Sequence, residues 1–145
     1  MSQYATVSNL TSLVIPALAL AGMTAAGIVP DDHLTKASGK VDSYLRGRYR
    51  LPLTAPYPDE IIANVCQIAG YTILCARGFD PTNHSDMNIR MQHDDAIRWL
   101  RDVASGLVNL ADTADATSAH DGGPIVSSRN RTDIGAFRDD EDCTS

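Results

Sequence analysis

The chain has 145 residues, 43% of them apolar, with a formal net charge of -6 and a sequence pI near 4.9. That length suits one domain with a modest core plus appendages, and the acidic balance excludes a broad phosphate-neutralising surface for bare nucleic acid. The charge is uneven: residues 1–30 contain no Asp, Glu, Lys or Arg, residues 31–50 hold five basic and three acidic side chains, and residues 107–145 hold three basic and eight acidic ones.

Thr6 can cap a short first helix over residues 6–14, with Asn9 nearby and Val7, Leu10, Leu13 and Val14 on one face. Pro16 restarts the chain. From there to about Ala26, small alanines alternate with Leu18, Leu20 and Met23, a pattern for close helix packing that marks no polar face. The charge-free run over residues 13–29 is interrupted by Pro16, Gly22 and Gly27 and follows no Lys or Arg, so it is expected as a core segment rather than a membrane span or signal.

Pro30 at a first-turn position, followed by Asp31 and Asp32 at the positive end of the macrodipole, predicts a third helix. Its stripe is Leu34, Ala37, Val41, Tyr44, Leu45 and Arg48. Arg46, Arg48 and Arg50 then fall where positive charge suits exposed carbonyls. Leu51-Pro52-Leu53 and Ala55-Pro56-Tyr57-Pro58 form a linker, because residues before proline avoid the helical region. Pro58, Asp59 and Glu60 repeat the start signal. Ile61, Ile62, Val65, Cys66, Ile68, Ala69, Ile73 and Leu74 give the following helix so broad an apolar surface that it belongs at the centre of a bundle.

Residues 79–84 carry turn chemistry, with Ser85 as the expected cap of a last helix over residues 86–105. Ile89, His93, Ala96, Ile97, Leu100 and Val103 form its inward face with Trp99 flanking, and Gly106 stops it. Beyond Asn109 the periodicity collapses, which predicts an extended arm over residues 111–145 after a helical domain over residues 1–110. The arm carries Ile125, Val126, Ile134 and Phe137 interleaved with Arg129, Arg131 and Arg138, the side-chain types that anchor interfaces, before the acidic run of residues 139–142.

Chemistry-bearing motifs are scarce. His84, His93, Asp94 and Asp95 lack the i, i+4 ligand spacing of a helical zinc site, and His93 is expected as a partly exposed residue on a charged face. Residues 80–84 lack the glycine and closing glutamate of a calcium loop. Gly122-Gly123-Pro124 lacks the strand and Lys-Ser/Thr of a phosphate loop. Cys66, Cys75 and Cys143 are an odd set without CxxC spacing, expected as reduced, buried thiols. No cofactor, metal or enzymatic activity is expected. Arg46, Arg48 and Arg50, interleaved with Tyr44 and Tyr49, are the best local candidates for touching nucleic acid, although charge at a helix end explains them as simply.

Four segments carry a family resemblance. They are Tyr4-Ala5-Thr6 leading into Leu10; Val41-Asp42-Ser43-Tyr44-Leu45-Arg46-Gly47-Arg48-Tyr49 followed by Leu51-Pro52-Leu53; residues 61–74 with residues 96–106; and Ser128-Arg129-Asn130-Arg131 ending at Gly135-Ala136-Phe137. In this order they resemble the Mu-like phage connector proteins, relatives of the head-to-tail joining proteins (adaptor or head-completion proteins) of long-tailed phages. Residues 13–29 are more apolar, and the end past Phe137 more acidic, than the family pattern.

The resemblance implies an all-α bundle of four to five helices with a long C-terminal arm, assembled as a homo-oligomeric ring of twelve in the virion neck. Its expected partners are the portal protein, gripped by Ile125, Val126, Arg129, Arg131, Ile134 and Phe137, and a tail-side neck or stopper/terminator protein. Packaged DNA passes through the ring, with Arg46, Arg48 and Arg50 at the channel or between subunits, and no membrane is involved. The alternative is a small nucleic-acid-binding packaging or regulatory module that uses the same three arginines.

Overall fold

Thr6 and Asn9 close a reciprocal capping box. The Asn9 amide donates to the Thr6 hydroxyl at 3.3 Å and the Thr6 amide donates to the Asn9 carboxamide oxygen at 2.9 Å. That box starts α1 (Val7–Leu13) in a computed structural model that describes residues 2–110. Four helices follow: α2 (Ala17–Ala25), α3 (Pro30–Leu45), α4 (Asp59–Arg77) and α5 (His84–Ser105). Every regular element among the described residues is helical, as the periodicity predicts.

The start signals of α3 and α4 act where expected, with Pro30 in the first turn of α3 and acidic pairs at Asp31–Asp32 and Asp59–Glu60. α3 ends at Leu45, a turn earlier than its stripe suggests, and a tight turn carries the chain through Tyr49. α5 is capped by Asn83 and starts at His84, two residues before the start at residue 86 that a Ser85 cap would give. The Asn83 carboxamide accepts from the Ser85 amide at 2.9 Å, which satisfies an otherwise orphaned donor of the first turn. Gly106 ends α5 in the left-handed region at φ 93°, which an L side chain rarely adopts.

α4 is central, packing against α1, α3 and α5, and α3 also meets α5. Leu34, Val41 and Leu45 of α3, Ile61, Val65, Ile68 and Ile73 of α4, and Leu100 and Val103 of α5 are fully buried at this junction. α1 contributes Leu10, while Leu13 is 52% exposed, because α1 lies over α4 by the Leu10 and Val14 side of its face. α2 buries only Leu20 and Met23 and leaves Leu18 87% exposed. Cys66 is buried as expected, but Cys75 is exposed, since it lies in the last turn of α4, where residues 75–77 are all exposed beyond the buried Ile73 and Leu74.

The N-terminal residues and the proline-rich linker are tied together by Tyr4. Its hydroxyl donates to Asp42 Oδ1 at 2.5 Å and accepts from the Leu53 amide at 3.3 Å. Its backbone amide donates to Ser38 Oγ at 3.1 Å, and its ring meets Tyr57 edge-on at a centroid distance of 4.9 Å. Burial and the Asp42 carboxylate push the Tyr4 hydroxyl pKa up to about 12.

Candidate functional site

The three arginines after α3 do not act together. Arg48 turns toward the end of α5, where its Nη1 donates to the carbonyls of Val103 at 3.0 Å and Val108 at 3.1 Å and its Nη2 to the Asn109 side chain. The guanidinium lies 5.5 Å from the Tyr49 ring centroid, and the Tyr49 hydroxyl accepts from the Leu110 amide at 3.0 Å. A rigid planar cation suits this position, because the last carbonyls of α5 have no partner within the helix. Arg48 and Tyr49 thus fasten the exit of α5 to the exit of α3.

Arg46 and Arg50, two residues before and after Arg48 in the chain, are exposed. Arg46, Asp42, Tyr49, Leu51, Pro52 and Ser2 line an open cleft of about 700 Å³. A second hollow, of about 500 Å³, lies between α3 and α5, with Lys40 and Tyr44 on one wall and Ile97, Arg98 and Arg101 on the other. Arg98 there pairs with Asp95 at 3.2 Å. A notch of about 380 Å³ between α1 and α4 is edged by Leu13, Ile62 and Ala63. Sequence reasoning missed both of these hollows. The i, i+4 spacings of Lys40 with Tyr44 and of Ile97 with Arg101 place each pair on one helix face, yet nothing local brings the two faces opposite each other.

His93 is partly exposed on a charged face, as expected: its ring lies against Tyr71 with ring centroids 4.5 Å apart and it makes a 3.1 Å contact with Asp94. His33 Nδ1 meets Thr72 Oγ1 at 3.0 Å, and burial, with Lys36 nearby, lowers its pKa. Burial pushes the Cys66 thiol up to about 11, which suits a packing role rather than a nucleophile. Among the described residues no group of three or more His, Cys, Asp or Glu side chains is placed to hold a metal ion, and no helix is long and apolar enough to cross a membrane. The sequence-predicted arm anchors Ile125, Val126, Arg129, Arg131, Ile134 and Phe137 lie outside the described residues.

Among the described residues the fold is therefore a small all-helical one with open clefts, and its best basic motif is partly used to join two helix ends. The chain belongs to the Bacteriophage Mu Gp36 family, whose model matches residues 4–128. It is also similar to the Mu-like prophage FluMu protein gp36 of Haemophilus influenzae, with 38% identity over 79 residues, 54% of this chain and 50% of that relative. The match thus spans about half the length of the curated relative. Both findings place the chain among Mu-like phage proteins.

Proposed function

We propose that this chain is a non-enzymatic neck subunit that assembles as a ring between the portal protein and a tail-side neck or stopper/terminator protein, around the channel through which DNA passes. The observation that carries this reading is α2. It is a nine-residue helix without a charge in which only Leu20 and Met23 are buried, and Leu18 is 87% exposed beside open alanines. An apolar helix left uncovered on a monomer is a surface for association, and a small core gains from burial between subunits.

Two further features support the same reading. The net charge of -6 suits a channel that DNA traverses without adhering. The interleaved apolar and arginine residues at 125–137 have the composition of interface anchors, with Ile134 and Phe137 the foremost for the portal. Family membership makes the reading one about phage morphogenesis rather than host metabolism.

Light scattering on the purified chain, alone and mixed with its cognate portal, tests the proposal. The expected result is a stoichiometric ring on the portal that is lost in Ile134→Ser/Phe137→Ser and weakened in Leu18→Lys. A chain that stays monomeric and indifferent to portal overturns the proposal.

A further inference from the structure

The cleft beside Tyr49 has two properties that together identify an occupant. Its positive charge comes from the α3 exit: Arg46 lines it, Arg50 is exposed and falls in the chain between the lining residues Tyr49 and Leu51, and the Arg48 guanidinium lies over the Tyr49 ring at 5.5 Å. The opposing acid on its wall, Asp42, accepts the Tyr4 hydroxyl. Its second property is its position. Leu110 is pinned by its amide to the Tyr49 hydroxyl, and Tyr49 lines the cleft, so the chain leaves the helical domain at the cleft's edge.

What leaves there is the acidic part of the chain. Residues 107–145 hold eight acidic and three basic side chains, and four acids are contiguous at Asp139, Asp140, Glu141 and Asp142, with Phe137 two residues ahead of them. We propose that this acidic run docks in the cleft of its own chain, its carboxylates against Arg46 and Arg50 and Phe137 over Leu51 and Pro52. In the free subunit the run then occupies the two exposed arginines and excludes other polyanions from them. This contact does not depend on the neck reading and goes beyond it.

Reach and charge both favour the contact. From residue 110 to residue 139 the chain spans 29 residues, a distance of up to about 95 Å if fully extended and about 30 Å as a flexible coil. A tether of that length presents its end at an effective concentration on the order of millimolar, so individually weak ion pairs suffice to populate a docked state. Four contiguous carboxylates present the repeated negative charge that forked guanidinium groups bind best, whereas Asp112, Asp115 and Asp121 are isolated single charges. The hollow between α3 and α5 is a poorer seat, since Arg98 is already paired with Asp95 and Asp94 lies on its wall.

Cys143, directly after the run, allows a direct test. In the full chain carrying Cys75→Ser, a nitroxide attached to Cys143 is expected to spare Cys66, which is fully buried. It should broaden the backbone amide resonances of residues 46–51 and 53, Pro52 having no amide proton, by about two-fold or more if the millimolar effective concentration keeps the docked state populated. The broadening should vanish in Asp139→Asn/Asp140→Asn/Glu141→Gln/Asp142→Asn, in Arg46→Gln/Arg50→Gln, and at about 1 M salt, where the Debye length is only about 3 Å. Broadening that is absent from residues 46–53, centred on Lys40 and Arg101, or unchanged by the charge variants overturns the proposal. So does broadening that appears fully when spin-labelled chain is mixed with separate isotope-labelled chain, since the occupant is then a second copy.

Discussion

Val14 fills the space that Gly70 leaves by lacking a side chain: a Cβ on Gly70 would lie 2.6 Å from Val14 Cγ1. This contact sets the distance at which the end of α1 crosses α4. Alanine at position 70 gains helix propensity, about 1 kcal/mol at most, but a β-branched neighbour has few rotamers into which to retreat, and overpacking costs about 1–3 kcal/mol. Gly70→Ala is therefore expected to lower stability by about 1 kcal/mol in urea unfolding. In a Val14→Ala background the same change should be neutral or stabilising. Equal effects in both backgrounds would show that the two residues do not limit the approach of the helices.

Arg48 and Arg46 look interchangeable in sequence and should behave differently. Replacing Arg48 with Met removes the donor shared by the Val103 and Val108 carbonyls, and hydrogen bonds from a charged group contribute about 1.5–3 kcal/mol. Partial exposure reduces that, so a loss of about 1–2 kcal/mol is expected for Arg48→Met. Arg46→Gln should stay within about 0.5 kcal/mol of the wild type. Amide hydrogen exchange at residues 106–110 should quicken in the Arg48 variant alone, and equal exchange in the two variants would contradict the clamp.

The division between what was legible in the sequence and what was not follows the range of the interactions. Pro30 with Asp31 and Asp32, Pro58 with Asp59 and Glu60, and Gly106 signal helix ends through local backbone and dipole effects, and each acts as read. Asn83 and Ser85 are both good caps. The choice falls to Asn83 because Asp86 turns inward, accepting from the Asp80 amide and Arg77, a contact no spacing reveals. The destination of Arg48 depends on carbonyls 55 and 60 residues away. α2 has no polar face, so periodicity could not distinguish exposed Leu18 from buried Leu20. The arm residues singled out in the sequence lie outside the described residues, so their reading rests on composition alone.

Tyr4 links stability to alkaline pH. Its folded-state pKa, about 12, lies above the ordinary value of 10.0 because burial and the Asp42 carboxylate disfavour the phenolate. The folded protein therefore holds the proton more tightly than the unfolded chain. This contribution is fully present below pH 10 and is lost as pH rises toward 12. Tyr4→Phe removes the partner of the buried Leu53 amide and should cost about 1–3 kcal/mol at neutral pH. The variant should also lose less stability than the wild type between pH 9.5 and 11, measured by chemical denaturation. Parallel pH profiles for the two proteins would rule out Tyr4 as the titrating group.

Leu18 and Leu20 offer a test of what α2 is for, because they lie two residues apart in one short helix and differ in exposure from 87% to 4%. Leu20→Ala opens a hole at the edge of the core and should cost about 2 kcal/mol, the low end for such truncations because α2 lies at the periphery. Leu18→Lys touches no core residue, keeps a good helix former, and should leave the unfolding free energy within about 0.5 kcal/mol of the wild type. If α2 is an association surface, the ranking reverses in an assembly assay, where a lysine in a buried apolar contact is far more damaging than a cavity behind it. A Leu18→Lys chain as stable and as competent to assemble as the wild type would leave the exposed face of α2 without a role in association.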